Sequence, residues 1–177
     1  MRETIIEATI EALCSVTNPR LFHTERGYQG AFFCALQRVL EEKGIVDGAC
    51  ILEMEYQKSG RHGTRQRPDI ILHVPVEISD SAVTENNFAV WALKREAGTE
   101  RAMEDFQKLD AMLDHLKYPL GFFINIASTS HHLEEYKGDF LDRLVAIAVN
   151  LRETTLVIKS ARWLDGNLVE ETIEVAL

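Results

Sequence analysis

The sequence predicts an α/β domain in which a mixed β-sheet is flanked by helices. Three observations carry this prediction. Two long stretches, about 24–43 and 99–118, repeat apolar residues at helical spacing. An almost unbroken apolar run, Leu120 to Ala127, has the length of a strand. Three short segments between them, β-branched or aromatic in part, are bounded by polar, turn-rich sequence. With 177 residues and 46% hydrophobic content, the chain is expected to bury one substantial core as a single domain over residues 1–177.

Taken in order, residues about 3–16 read as a helix with Ile5, Ile6, Thr9, Ile10 and Leu13 on one face, followed by a loop at Asn18-Pro19. Thr24 is a plausible N-cap for the next helix, which runs to Lys43 with Ala31, Phe32, Ala35, Leu36, Val39 and Leu40 inward and Gly44 as its stop. Strands are expected at about 49–57, 69–75 and 87–94. Thr99 is a candidate cap for a helix that places Phe106, Leu109, Leu113 and Leu116 inward and ends near Tyr118-Pro119. The run 120–127 has the pattern of a strand buried on both faces, hence central. A helix from about Ser130 to Asn150 follows, with Leu133, Tyr136, Phe140, Leu144 and Ile147 inward. A hairpin of strands at 154–163 and 168–175, joined through Asp165-Gly166-Asn167, closes the chain. The predicted order is α-α-β-β-β-α-β-α-β-β.

Composition narrows the function. No apolar run approaches the ~18–20 residues needed to span a bilayer, and the first residues begin an amphipathic segment rather than a leader, so a cytoplasmic protein without membrane contact is expected. Cys14, Cys34 and Cys50 are widely spaced and odd in number, which fits reduced thiols and offers no paired zinc-ligand spacing. A net charge of −9 argues against coating nucleic acid with the whole surface. One segment runs the other way: Lys58, Arg61, Arg65 and Arg67 lie together, with His62 among them and no acidic residue. They read either as a solvated loop or as a grip on a phosphate backbone.

Immediately after that basic segment come Arg67-Pro68-Asp69-Ile70-Ile71-Leu72, and then Phe88-Ala89-Val90-Trp91-Ala92-Leu93-Lys94. Pro68-Asp69 opens one strand and Lys94 closes the next. This pairing, with an amphipathic helix and a buried strand after it, resembles the PD-(D/E)XK nuclease superfamily over roughly residues 24–150. The resemblance implies a restriction-endonuclease-like core and Mg²⁺- or Mn²⁺-dependent hydrolysis of DNA phosphodiester bonds. It also implies DNA as partner, a homodimer or a larger assembly, and a setting such as restriction or antiphage defence. Carried over, Asp69 is the metal ligand and Lys94 the catalytic lysine, while Ala92 stands where the motif has its acid. Side chains alternate along a strand, so Ala92 and Lys94 share a face and Trp91 and Leu93 point away.

Hydrolysis of a phosphodiester needs an activated water and neutralisation of charge on the phosphoryl oxygens, and Mg²⁺ held by carboxylates serves both ends. Further metal-ligand candidates are Glu25, at the start of the second helix, and Glu55, which shares a strand face with Glu53. Glu25 reads equally well as a residue complementing the helix dipole. Three explanations of Ala92 stand open. The acid has migrated to the following helix, with Glu100 and Glu104 as candidates; or the chain is a pseudonuclease that binds or scaffolds; or a glutamate has been exchanged for alanine to inactivate the site. Gln107 and Lys108 fall on the polar side of that helix, where accessory site residues occur in relatives. His73 shares a face with Asp69. His131 and His132, adjacent and so about 100° apart on a helix, do not suit a common ion.

Overall fold

The computed structural model describes residues 1–54, 68–75 and 86–177. Its helices are α1 (Arg2–Ser15), α2 (Glu25–Glu42) and α3 (Thr99–His115). Its strands are β1 (Ile51–Met54), β2 (Ile70–His73), β3 (Asn87–Arg95), β4 (Gly121–Ile126), β5 (Leu144–Arg152), β6 (Thr155–Leu164) and β7 (Asn167–Ala176). The strands form one mixed seven-stranded sheet in sequence order. β1, β2 and β3 make an antiparallel meander, β3, β4 and β5 are parallel, and β5, β6 and β7 are again antiparallel. β4 therefore lies at the middle of the sheet, and all six of its residues are buried, as its almost unbroken apolar run predicts.

The sheet separates two cores. On one face Ile5 and Leu13 of α1 and Phe32, Leu36 and Leu40 of α2 pack on Leu72, Trp91, Phe122, Val145 and Ile147. On the other, Ala102, Phe106, Leu109 and Leu113 of α3 cover Ile71, Val90, Ala92, Phe123 and Ala146. Period-two alternation assigns the strand residues: Trp91 and Leu93 belong to the first core, Val90 and Ala92 to the second. Thr24 caps α2 as expected, its Oγ1 accepting the Gly27 N–H at 3.1 Å. Thr99 does not cap α3. The N-cap is Gly98, and Thr99 is the first helical residue. Asp165 and Gly166, with φ of 50° and 77°, make the tight turn between β6 and β7, the left-handed pair that a two-residue hairpin requires.

One expected element is wrong. No α-helix spans 130–150: short 3₁₀ turns at Leu133–Glu135 and Leu141–Arg143 lead into β5 instead. Leu133, Tyr136, Phe140, Leu144 and Ile147 fit helical spacing, but the intervening Val145, Ala146, Ala148 and Val149 are apolar too. Such a run gains most by lying beside β4 with both faces covered. The first half also resists helix formation. His132 is in the left-handed region with φ of 58°, and Gly138 has no space for a Cβ, which would overlap the Tyr136 ring. The element order is thus α-α-β-β-β-α-β-β-β-β. Among the described residues, no helix is long and apolar enough to cross a membrane.

Candidate functional site

The antiparallel pairing of β2 with β3 explains why two half-motifs far apart in sequence meet. The start of β2 lies beside the end of β3, and Ile70 pairs with Trp91, so Asp69, one residue earlier, falls level with Ala92. The Asp69 carboxylate accepts the Leu93 N–H at 2.7 Å, and Gln29 of α2 donates to the Asp69 carbonyl at 3.2 Å. These bonds fix the aspartate against β3, pointing to the α3 side of the sheet.

α3 then brings a residue that the spacing argument missed. After β3 the chain turns at Glu96, which has a φ of 49°, and α3 runs back over the strand. Asp105 lies six residues into the helix, roughly 9 Å along its axis, which matches about three residues of strand and sets it over Ala92. Its side chain is 5% exposed. Glu100 and Glu104, the candidates for a migrated acid, are both exposed. The signal for Asp105 was present in the sequence: it sits between Ala102, Phe106 and Leu109 on the apolar stripe of α3. A carboxylate rarely occupies such a stripe unless paired.

Pro68, Asp69, Ala92, Lys94, Asp105 and Lys108, with apolar walls from Val90, Leu109 and Met112, line a cavity of about 180 Å³. Lys94 reaches towards both acidic sides, its Nζ 3.8 Å from Glu25 Oε1 and 3.8 Å from Asp105 Oδ2. Glu25 is oriented by the Arg95 N–H, which it accepts at 3.0 Å. Lys108 donates to Asp105 Oδ1 at 2.6 Å, while Asp105 Oδ2 is buried with no hydrogen-bond partner among the described residues. Burial pushes the Asp69 carboxyl up to about 6. The Leu93 N–H and Lys94 pull it down, and the charges of Glu25 and Asp105 add to the rise.

Asp69, Lys94 and Glu25 therefore come together, Ala92 forms part of the floor, and Lys108 closes one side. Glu55, Lys58, Arg61, His62, Arg65 and Arg67 lie outside the described residues. His73 is turned to Glu53, 3.0 Å away, and does not line the cavity. Gln107 faces a separate cavity beside Tyr136. His131 and His132 are buried structural groups. His131 bridges Glu134 and Glu170, and His132 donates to the Ala97 carbonyl at 3.0 Å.

Among the described residues, no three His, Cys, Asp or Glu side chains form a group arranged to hold a metal ion. Two carboxylates do face one cavity, and one of them keeps a buried oxygen with no hydrogen bond. Mg²⁺ suits such a pair, because it commonly takes one or two protein carboxylates and completes its shell with water and substrate phosphate. In comparisons with known proteins, no family model, curated protein or solved structure matches this chain.

Proposed function

We propose that this chain is a Mg²⁺-dependent DNA endonuclease domain of the restriction-endonuclease-like type, in which Asp105 supplies the second carboxylate that Ala92 lacks. One observation carries the reading: Asp69, Asp105 and Lys94 arrive from three elements at one small cavity whose floor is the position of the missing acid. Asp69 and Asp105 are the residues that would hold the ion, with Glu25 near enough to add its charge. A bound Mg²⁺ supplies charge neutralisation at the phosphoryl group and a more acidic water. Lys94, tethered between Glu25 and Asp105, presents an ammonium that can hold a water or a phosphoryl oxygen in place. The Lys58, Arg61, Arg65 and Arg67 cluster precedes Pro68 directly in sequence, and Pro68 lines the cavity.

The presence of Asp105 favours a working site over one inactivated at position 92. A second reading, a noncatalytic subunit that binds nucleic acid or scaffolds an assembly, is favoured by a different observation: Lys94 and Lys108 already neutralise Asp105 without any metal. Cleavage of supercoiled plasmid and single-stranded DNA in Mg²⁺ or Mn²⁺ separates the two. The first reading expects cutting by the chain and a loss of about a hundredfold or more in Asp69→Asn and in Lys94→Met. An uncut substrate in both metals, with binding retained, favours the second.

A further inference from the structure

We infer that Lys108, which pairs with Asp105 Oδ1, competes electrostatically with a divalent cation for that carboxylate and holds down its metal affinity. This rests on the metal-dependent reading above. The geometry is specific. Lys108 and Asp105 are three residues apart on α3, one turn of helix, so the backbone holds the pair in register. The Lys108 side chain is 48% exposed and has water available to it. Its ammonium nevertheless reaches inward to a carboxylate that is 5% exposed, at 2.6 Å, the length of a strong charge-assisted hydrogen bond.

The electrostatics explain the arrangement. Asp69 and the buried Asp105 face one cavity, so their negative charges lie close together. Lys94 is shared at 3.8 Å between Glu25 and Asp105 and contacts neither closely. Lys108 therefore supplies the nearest positive charge to Asp105. A divalent ion held by Asp69 and Asp105 would set two positive charges against that ammonium and weaken its hold on Asp105, leaving it at the cavity wall able to meet a phosphate. Metal affinity is thereby held down in the free protein, and metal and phosphodiester favour each other's binding, because Lys108 is a competitor of the first and a ligand of the second.

The test is Mn²⁺ titration without nucleic acid, following free Mn²⁺ by electron paramagnetic resonance at constant ionic strength. It compares the parent chain with Lys108→Met, Asp105→Asn and the double variant. Methionine is a good helix former, so α3 is expected to persist, and circular dichroism checks it. Lys108→Met is expected to bind Mn²⁺ about tenfold more tightly than the parent, the scale of one charge-assisted hydrogen bond. The gain should vanish in the Asp105→Asn background. Lys117→Met, which removes an exposed lysine from beyond α3, should bind as the parent does.

Equal or weaker binding by Lys108→Met overturns the inference, as does a gain that persists without Asp105 or appears equally in Lys117→Met. In those cases the parent still binds Mn²⁺ and the metal-dependent reading survives. Failure of both the parent and Lys108→Met to bind millimolar Mn²⁺ overturns the two together.

Discussion

The two faces of the sheet use the same strands for opposite purposes. On the α1 and α2 face, Trp91 stacks on Phe122 with ring centroids 5.0 Å apart, its indole N–H donates to Thr9, and the surrounding side chains are apolar. One residue along β3, on the α3 face, Ala92 leaves room for a cavity walled by two acids and two lysines. Alternation on a single strand thus puts a dry core and a charged site back to back. The small residue at position 92 allows a carboxylate from α3 to occupy space that a longer side chain on β3 would fill. The missing motif acid is therefore a question of volume as well as of ligand count.

Substitutions on the two faces should move stability in opposite directions. The largest stability effect is expected on the dry face: Trp91→Ala removes a fully buried ring and should cost about 3–5 kcal/mol in urea unfolding. A loss of under 1 kcal/mol would mean that this face is not the structural one. On the charged face, Asp69→Asn should stabilise the metal-free protein. The folded carboxyl titrates near 6, above its ordinary value of 3.8, so its favourable state is the protonated one. That contribution is complete below the unfolded pKa and is lost as pH rises through about 6. Asp69→Asn should therefore gain roughly 2 kcal/mol at pH 8 in chelator and nothing at pH 3.5. A loss at pH 8 would show a structural role instead. The smallest effect sharpens the placement of Glu25. Thr24→Ala removes the α2 cap and should cost about 1 kcal/mol in thermal or urea unfolding. No change would mean that the start of α2, and with it Glu25, is held by other contacts.

Much of the fold was legible because most of its elements have a distinctive period. α2 and α3 carry apolar stripes, β4 is apolar but for Asn125, and the Asp165-Gly166 turn has its own chemistry. β5 was not legible, because Leu133, Tyr136, Phe140, Leu144 and Ile147 satisfy helical spacing by coincidence, and only pairing with β4 decides between helix and strand. At the site, Asp69 and Lys94 could be named only because their two segments resemble the halves of a nuclease motif; that the segments meet follows from the antiparallel pairing of β2 with β3. Asp105 could not be placed by counting from Lys94. Its position follows from the turn at Glu96 and the path of α3, both tertiary facts. Its apolar neighbours Ala102, Phe106 and Leu109 were the better guide, since they mark it as buried, and exposed Glu100 and Glu104 as not. The basic cluster from Lys58 to Arg67 lies outside the described residues.

If Asp105 performs the work of the acid absent at position 92, exchanging acids between the two positions should show it. Plasmid cleavage in Mg²⁺ and Mn²⁺ is measured for the parent chain, Asp105→Asn, Ala92→Glu and the double variant Ala92→Glu/Asp105→Asn. The account predicts that the parent cuts, that Asp105→Asn loses about a hundredfold or more, and that the double variant recovers cleavage by returning a carboxylate to the same cavity from β3. An inactive parent beside an active Ala92→Glu would contradict it, and would make position 92 itself the seat of the missing ligand.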